Sequence, residues 1–228
     1  MKRINILFVM LSFLLSNKKF HAQDWPNLSK YQEANATLQA RASNEQRVVF
    51  MGNSITEGWK TTNPSFFANP AYINRGIGGQ TTPQMLLRFR QDVIDLQPKI
   101  VVILAGTNDI AGNTGPITLE QIRDNILSMV ELAKANAIIP VICSVLPAYD
   151  YPWSPGKSPN ANIPKLNTLL KGMATEQKVP FLDYFSEMAD DRNGLPPAYT
   201  TDEVHLTKEG YAVMEKLVAA TLSEIQTN

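Results

Sequence analysis

From Arg47 onward the chain alternates short, almost wholly apolar runs with longer segments whose apolar residues recur every three or four positions. Runs apolar throughout suit strands covered on both faces, and helical stripes between them suit βαβ units. The pattern therefore confines the chain to a parallel sheet between two helical layers. Five runs carry the strand pattern: residues 48–51, 71–74, 100–104, 138–146 (with a proline early in it) and 179–183. Between them, Thr82 can cap a helix with Pro83 at its first position and Leu86, Phe89, Val93 and Leu96 on one face. Thr118 and Gln121 have capping-box spacing ahead of Leu119, Ile122, Ile126, Met129, Val130 and Ala133. Asn162 and Pro164 mark a third start, before Leu166, Leu169, Leu170 and Met173. Thr207 marks a fourth, before Tyr211, Met214, Leu217, Val218, Leu222 and Ile225. These stripes are core. With no internal repeat, charge block or linker in the pattern, residues 23–228 are expected to form one domain.

Composition removes whole classes of function. Among 228 residues, 21 basic side chains balance 21 acidic ones and are scattered, which leaves no electrostatic footprint for nucleic acid. The single cysteine, Cys143, excludes an internal disulfide framework, and with two histidines no zinc-spaced Cys/His set can be assembled. Cys143 itself lies in an apolar strand run, where a reduced core thiol is expected. Residues 1–22 read as a secretory signal: Lys2 and Arg3, then an apolar run from Ile4 to Leu15, with Ala22 before Gln23 as the cleavage point. That run is too short for a lasting transmembrane span, and no cysteine follows it to carry a lipid. The expectation is export, periplasmic or extracellular. Cleavage would discard His21, leaving His205 to serve any chemistry that needs an imidazole.

In an open parallel sheet, ligands bind beyond the carboxyl ends of the strands, so the residues leaving each strand carry the functional information. After the first strand comes Gly52-Asn53-Ser54-Ile55-Thr56-Glu57-Gly58-Trp59, with Ser54 where strand passes into a helical turn. After the second comes Asn74-Arg75-Gly76-Ile77-Gly78-Gly79-Gln80, and after the third Ala105-Gly106-Thr107-Asn108-Asp109. Near the end, Asp202-Glu203-Val204-His205 puts a carboxylate three residues before the imidazole. Each piece alone has an ordinary explanation, as helix cap, turn, Asx motif or partly exposed histidine. Together they supply a nucleophile, a base, an orienting acid and oxyanion donors on one crevice. Asp183, at another strand end, is a rival acid. No phosphate-binding G-x-x-x-x-G-K-[ST], dinucleotide G-x-G-x-x-G or hydrolase-elbow G-x-S-x-G occurs.

These four ordered blocks resemble those of the SGNH hydrolase superfamily, the GDSL-like lipases and esterases, over the chain from about Val48 to the last helix. The resemblance implies a flavodoxin-like three-layer α/β/α fold with a five-stranded parallel sheet in the order 2-1-3-4-5. It also implies Ser54 as nucleophile, Asp202 and His205 completing a triad, and an oxyanion hole of the Ser54 N–H, the Gly78 N–H and the Asn108 amide. Asn53 stands where the family name has aspartate, at a position that is not the triad acid. Such a mechanism needs no metal or organic cofactor. Residues 147–164, rich in Pro, Ser, Gly and Asn, form a long loop carrying Tyr149, Tyr151 and Trp153. With Trp59 these aromatics are candidate substrate contacts. Export, zero net charge and the aromatic loop point to small-molecule or glycan esters, O-acetyl groups on carbohydrate first. The alternatives are a short-chain lipid esterase resembling the platelet-activating-factor acetylhydrolase branch, and a non-catalytic carbohydrate-binding domain.

Overall fold

The computed structural model describes residues 23–39 and 46–227; the signal-peptide expectation lies outside them. In chain order the elements are α1 (Gln32–Gln39), β1 (Val48–Gly52), α2 (Ser54–Thr62), β2 (Tyr72–Gly76), α3 (Thr82–Asp92), β3 (Ile100–Leu104), α4 (Thr107–Ala111), α5 (Leu119–Ala135), β4 (Ile139–Cys143), α6 (Pro159–Gln177), β5 (Phe181–Leu182), α7 (Tyr184–Met188) and α8 (Lys208–Thr227). All strand pairs are parallel and the order is β2-β1-β3-β4-β5, as the resemblance implies.

The unbroken apolar runs are explained by two cores. Val49, Met51, Val101 and Ile103 point to one face and pack with Met85 and Phe89 of α3, the α5 stripe from Ile122 to Ala133, and Ile163, Leu166 and Leu170 of α6. Their neighbours Val48, Phe50, Val102 and Leu104 point to the other face, against Ile55 and Trp59 of α2, Tyr184 and Met188 of α7, and Tyr211, Met214 and Val218 of α8. Each such side chain, buried, contributes about 1.5–3 kcal/mol. Pairing sets Gly52 level with Gly76 on one side and Leu104 on the other, so the segments leaving β1, β2 and β3 emerge along one rim. The chain leaves β1 and β3 toward opposite edges of the sheet, the topology that opens a crevice between them.

Several boundaries differ from the sequence expectation for identifiable reasons. The apolar run after β4 stays buried, and the Ser144 N–H still donates to the Leu182 carbonyl (2.9 Å), but the chain leaves the ladder at Val145, because the Asn167 side chain takes both of its backbone groups (2.7 and 3.0 Å). β5 shrinks to two residues beside Pro180, which has no N–H to give. Helix α6 starts at Pro159, ahead of the expected Asn162, with Pro164 inside it. The Asn160 carbonyl, which Pro164 cannot satisfy, accepts instead from the Asn193 side chain at 3.1 Å. Helix α3 is capped by Thr81, one residue earlier than expected, through a capping box with Gln84. Thr82 is thereby free to bond Asp109. No described helix is long and apolar enough to cross a membrane.

Candidate active site

The nucleophile candidate is placed by a strand, a cap and a distant helix. As β1 ends, the Asn53 side chain accepts the Ile55 N–H at 3.0 Å and starts α2, so Ser54 is its first residue. The Ser54 N–H is one of the first-turn donors that a helix leaves without an internal acceptor. Helix α2 is fastened to α8: Tyr211 Oη donates to the Ile55 carbonyl (2.7 Å), and Trp59 Nε1 and Asn63 Nδ2 both donate to Glu215 (2.9 and 2.7 Å). Trp59 is only 2% exposed, stacked on Phe66 and Tyr211 and edge-on to Phe50. It therefore has no surface to offer substrate, and the expectation that it contacts ligand is corrected: it is a core residue that fixes the nucleophile helix.

His205 sits in a tight loop ahead of α8. The Thr200–Leu206 bridge closes the loop, and Thr200 Oγ1 donates to the His205 carbonyl at 2.7 Å. One Asp202 oxygen accepts the Val204 and His205 N–H groups (3.0 and 2.7 Å), while the other meets His205 Nδ1 at 2.6 Å. A carboxylate can only accept, so Nδ1 carries the proton, and in the neutral ring Nε2 is the acceptor that faces Ser54 Oγ at 3.0 Å. Burial works to raise the Asp202 pKa, but the ring and backbone hydrogen bonds from His205, with that from Val204, outweigh it and hold the carboxyl below its ordinary 3.8. Both side chains are nearly half exposed, open to an incoming ester. Asp183 instead caps α7 through the Ser186 N–H at 3.1 Å.

The rim opposite is built by stitching two loops together. Asn108 Nδ2 donates one hydrogen to the Gln80 carbonyl (3.0 Å), Asn113 Nδ2 donates to the Gly79 carbonyl (3.1 Å), and the Thr81 and Thr114 hydroxyls meet at 3.0 Å. Buried Asp109 accepts the Thr82 N–H (2.9 and 3.1 Å) and hydroxyl (2.6 Å). Its burial raises its pKa to about 6, against the hydrogen bonds from Thr82. Asn108 thus keeps a second amide hydrogen for a ligand. Gly78 lies beside Ser54, but its N–H donates to Glu57 Oε2 at 2.6 Å, so in this state it is not free to hold an oxyanion. The other Glu57 oxygen pairs with Lys30.

A second support was not legible from the sequence. Arg88 and Asp92, four residues apart on α3, form an ion pair in which both side chains are fully buried. The Arg88 guanidinium bonds Asp92 (2.9 Å), the Gln80 side chain (2.5 Å) and the Gly52 carbonyl (3.0 Å), tying the end of β1 to the Gly78 loop. Asn35 of α1 joins the other Asp92 oxygen at 2.6 Å.

The aromatic loop separates into three roles. Tyr151 is fully buried with its hydroxyl 2.9 Å from that of Thr107, which removes it from direct contact with substrate. Trp153 stacks on it at 5.2 Å, is 45% exposed, and donates its indole N–H to Asn113 at 3.2 Å. Its ring centre lies 6.3 Å from that of His205. Tyr149 is exposed under the Arg192 guanidinium, 4.8 Å away. Ser54, Gly79, Asn108, Asn113, Trp153 and His205 together line a hollow of about 260 Å³.

The sequence profile of the GDSL-like Lipase/Acylhydrolase family matches residues 50–213, spanning the segments of Ser54, Gly78, Asn108, Asp202 and His205. The chain belongs to this family. Membership places it among carboxylic ester hydrolases. A candidate acylhydrolase from Bacteroides fragilis is 51% identical, with a TM-score of 0.86, over 90% of this chain and 99% of that one. A GDSL-like lipase from Bacteroides thetaiotaomicron is 46% identical, with a TM-score of 0.84, over 88% and 99%. The isoamyl acetate-hydrolyzing esterase of Saccharomyces cerevisiae is 26% identical over 197 residues, 74% of this chain and 82% of that one. The Bacillus subtilis lipoprotein YqeF is 37% identical over 78 residues, about a third of the length of each.

Proposed function

We propose that this GDSL-family hydrolase is an exported serine esterase that removes short acyl groups, O-acetyl first, from carbohydrate. The observation that carries the mechanism is the relay from Asp202 through His205 to Ser54, with contacts of 2.6 and 3.0 Å. In it, His205 Nε2 takes the Ser54 proton as Oγ attacks the ester carbonyl, then returns a proton to the departing alcohol. Asp202 holds the imidazole tautomer and stabilises the imidazolium. The Ser54 N–H and the second Asn108 amide hydrogen receive the oxyanion, and the Gly78 N–H joins them once Glu57 releases it. Water, activated by the same imidazole, then cleaves the acyl-serine.

The short-acyl preference rests on the size of the hollow and on the wall that Trp153 and Asn113 place across it. The yeast relative, named for hydrolysing an acetate ester, supports the same acyl group. An exposed, rigid indole beside an uncharged amide suits a sugar ring better than an acyl tail. Export is supported by the basic start and apolar run of residues 1–22 and by the relative in Bacillus subtilis being a lipoprotein.

The test is a kcat/KM series on nitrophenyl esters from acetyl to decanoyl, and on acetylated oligosaccharides, with Ser54→Ala as control. Acetyl should be preferred, and acetate should be released from sugar. Preference for long chains would replace this proposal with a lipid esterase. Absence of serine-dependent turnover would leave a non-catalytic binding domain.

A further inference from the structure

The chain has three tryptophans. Trp59 belongs to the core, whereas Trp153 and Trp25 are exposed, the latter at 41%. Both exposed rings stand on fixed backbone. Trp153 is held by Tyr151 and Asn113 as described above. Trp25 lies in a turn whose carbonyl accepts from Gln84 Nε2 at 2.8 Å, and the preceding Asp24 carboxylate accepts the Leu28 and Ser29 N–H groups at 2.7 and 3.0 Å. Little backbone entropy remains to be lost when a ligand settles on either ring.

The two rings flank one loop. Asn113 lines the hollow of Ser54, and the next residue, Thr114, lines a second hollow of about 390 Å³ whose wall includes Trp25, Gln121, Asp124 and Asn125. The wall between the hollows is rigid, because Asn113 is bonded to Gly79 and Thr114 to Thr81. Pro83, Pro116, Ile117 and the indole supply apolar faces, and two side-chain amides, a hydroxyl and a carboxylate supply polar edges, a mixture that matches a sugar ring with its CH faces and edge hydroxyls. The polar groups would lose water to an acyl tail without repayment, and Asp124, paired with Arg123 at 2.8 Å, leaves no free cation in the wall to draw in an anionic headgroup. The volume falls in the range of small-molecule sites.

We propose that the Trp25 hollow is a distal subsite for a neighbouring sugar unit of the same glycan whose ester is seated at Ser54. This rests on the carbohydrate reading above. An extended, acetylated oligosaccharide crosses the Asn113–Thr114 ridge with Trp153 at one end and Trp25 at the other, and the distal sugar contributes binding but no chemistry.

The test compares wild type, Trp25→Ala and Trp25→Phe on acetylated xylo-oligosaccharides of increasing length and on nitrophenyl acetate. Loss of the stacking platform should raise KM for the longer oligosaccharides about tenfold, with kcat and the nitrophenyl acetate kinetics within about twofold of wild type. Trp25→Phe should recover part of the loss. Calorimetry with deacetylated oligosaccharides on Ser54→Ala protein, with and without Trp25→Ala, should give the same difference without turnover. Equal kinetics on all lengths, or an equal fall on oligosaccharide and nitrophenyl acetate, would overturn the subsite while leaving the esterase intact. Failure of the wild type to release acetate from any sugar, with nitrophenyl acetate still cleaved, would instead overturn the carbohydrate reading and the subsite with it.

Discussion

Asp109 offers a quantitative check on how the rim of the site is held. Its carboxylate is 3% exposed and accepts three hydrogen bonds, all from Thr82, across the joint between the Gly78 and Asn108 loops. Burial raises its pKa from 3.8 to about 6. A group that binds its proton more tightly in the folded state makes stability fall with rising pH between its unfolded and folded pKa values. The contribution is therefore fully present below about pH 4 and lost as pH rises through about 6. At 1.36 kcal/mol per pH unit, the rise from 3.8 to about 6 amounts to roughly 3 kcal/mol. Asp109→Asn removes the titration and keeps one acceptor for Thr82. Urea unfolding of both proteins from pH 3.5 to 8 cancels the other titrating groups in the difference. The variant should gain on the wild type by roughly 3 kcal/mol across that range, a relative midpoint shift on the order of 1 M urea. A difference that stays constant within about 1 kcal/mol from pH 4 to 7 would refute the argument that this carboxylate is penalised by burial.

Three further outcomes follow from the packing and the site. Asn108→Ala should keep its circular dichroism spectrum but lose about a hundred- to a thousand-fold in kcat, as expected for one oxyanion donor; near-normal turnover would remove Asn108 from that role. Arg88→Met should destabilise by about 3–5 kcal/mol in chemical denaturation, because it leaves the Asp92 carboxylate buried without its cation. Arg88→Met with Asp92→Leu should recover most of the loss, and failure to do so would deny the pair's coupling. Gly76→Ala should lower the melting temperature by roughly 6 °C or more. A Cβ there would fall 2.1 Å from the Glu57 backbone nitrogen and 2.6 Å from the Thr56 carbonyl carbon, which cannot swing aside as a side chain can.

The architecture was legible because both faces of the sheet are buried: strands need apolar residues on every position, and each covering helix needs one stripe. The α5 stripe largely behaves as read, with Ile122, Ile126, Met129, Val130 and Ala133 buried and Leu119, in the first turn, partly buried against the same core. The site segments were legible for a related reason, since a parallel sheet aligns the residues leaving adjacent strands. What escaped is what tertiary contacts decide. Trp59, five residues after Ser54, reads as a ligand contact until Phe66, Phe67 and Tyr211 close around it. Nothing local to Arg88 and Asp92 says that they are buried, because the Gly52 carbonyl and the Gln80 side chain that meet Arg88 come from other segments. The segment from Trp25 to Gln39 carries no strong apolar period. Its order comes from groups distant in sequence: Gln80, Gln84 and Gln91 donate to the carbonyls of Pro26, Trp25 and Leu28 (2.7, 2.8 and 2.7 Å), and Arg75 lies over the Tyr31 ring. The Glu57 carboxylate on the Gly78 N–H likewise pairs residues 21 apart in sequence.

The central claim is that Ser54, activated by His205, attacks the ester. Intact-protein and peptide mass spectrometry after brief exposure to a serine-directed fluorophosphonate tests it most directly. A single adduct on the peptide containing Ser54 is expected, absent in Ser54→Ala and formed at least a hundred-fold more slowly in His205→Ala. An adduct on another residue, or one that forms at the wild-type rate without His205, would contradict the account.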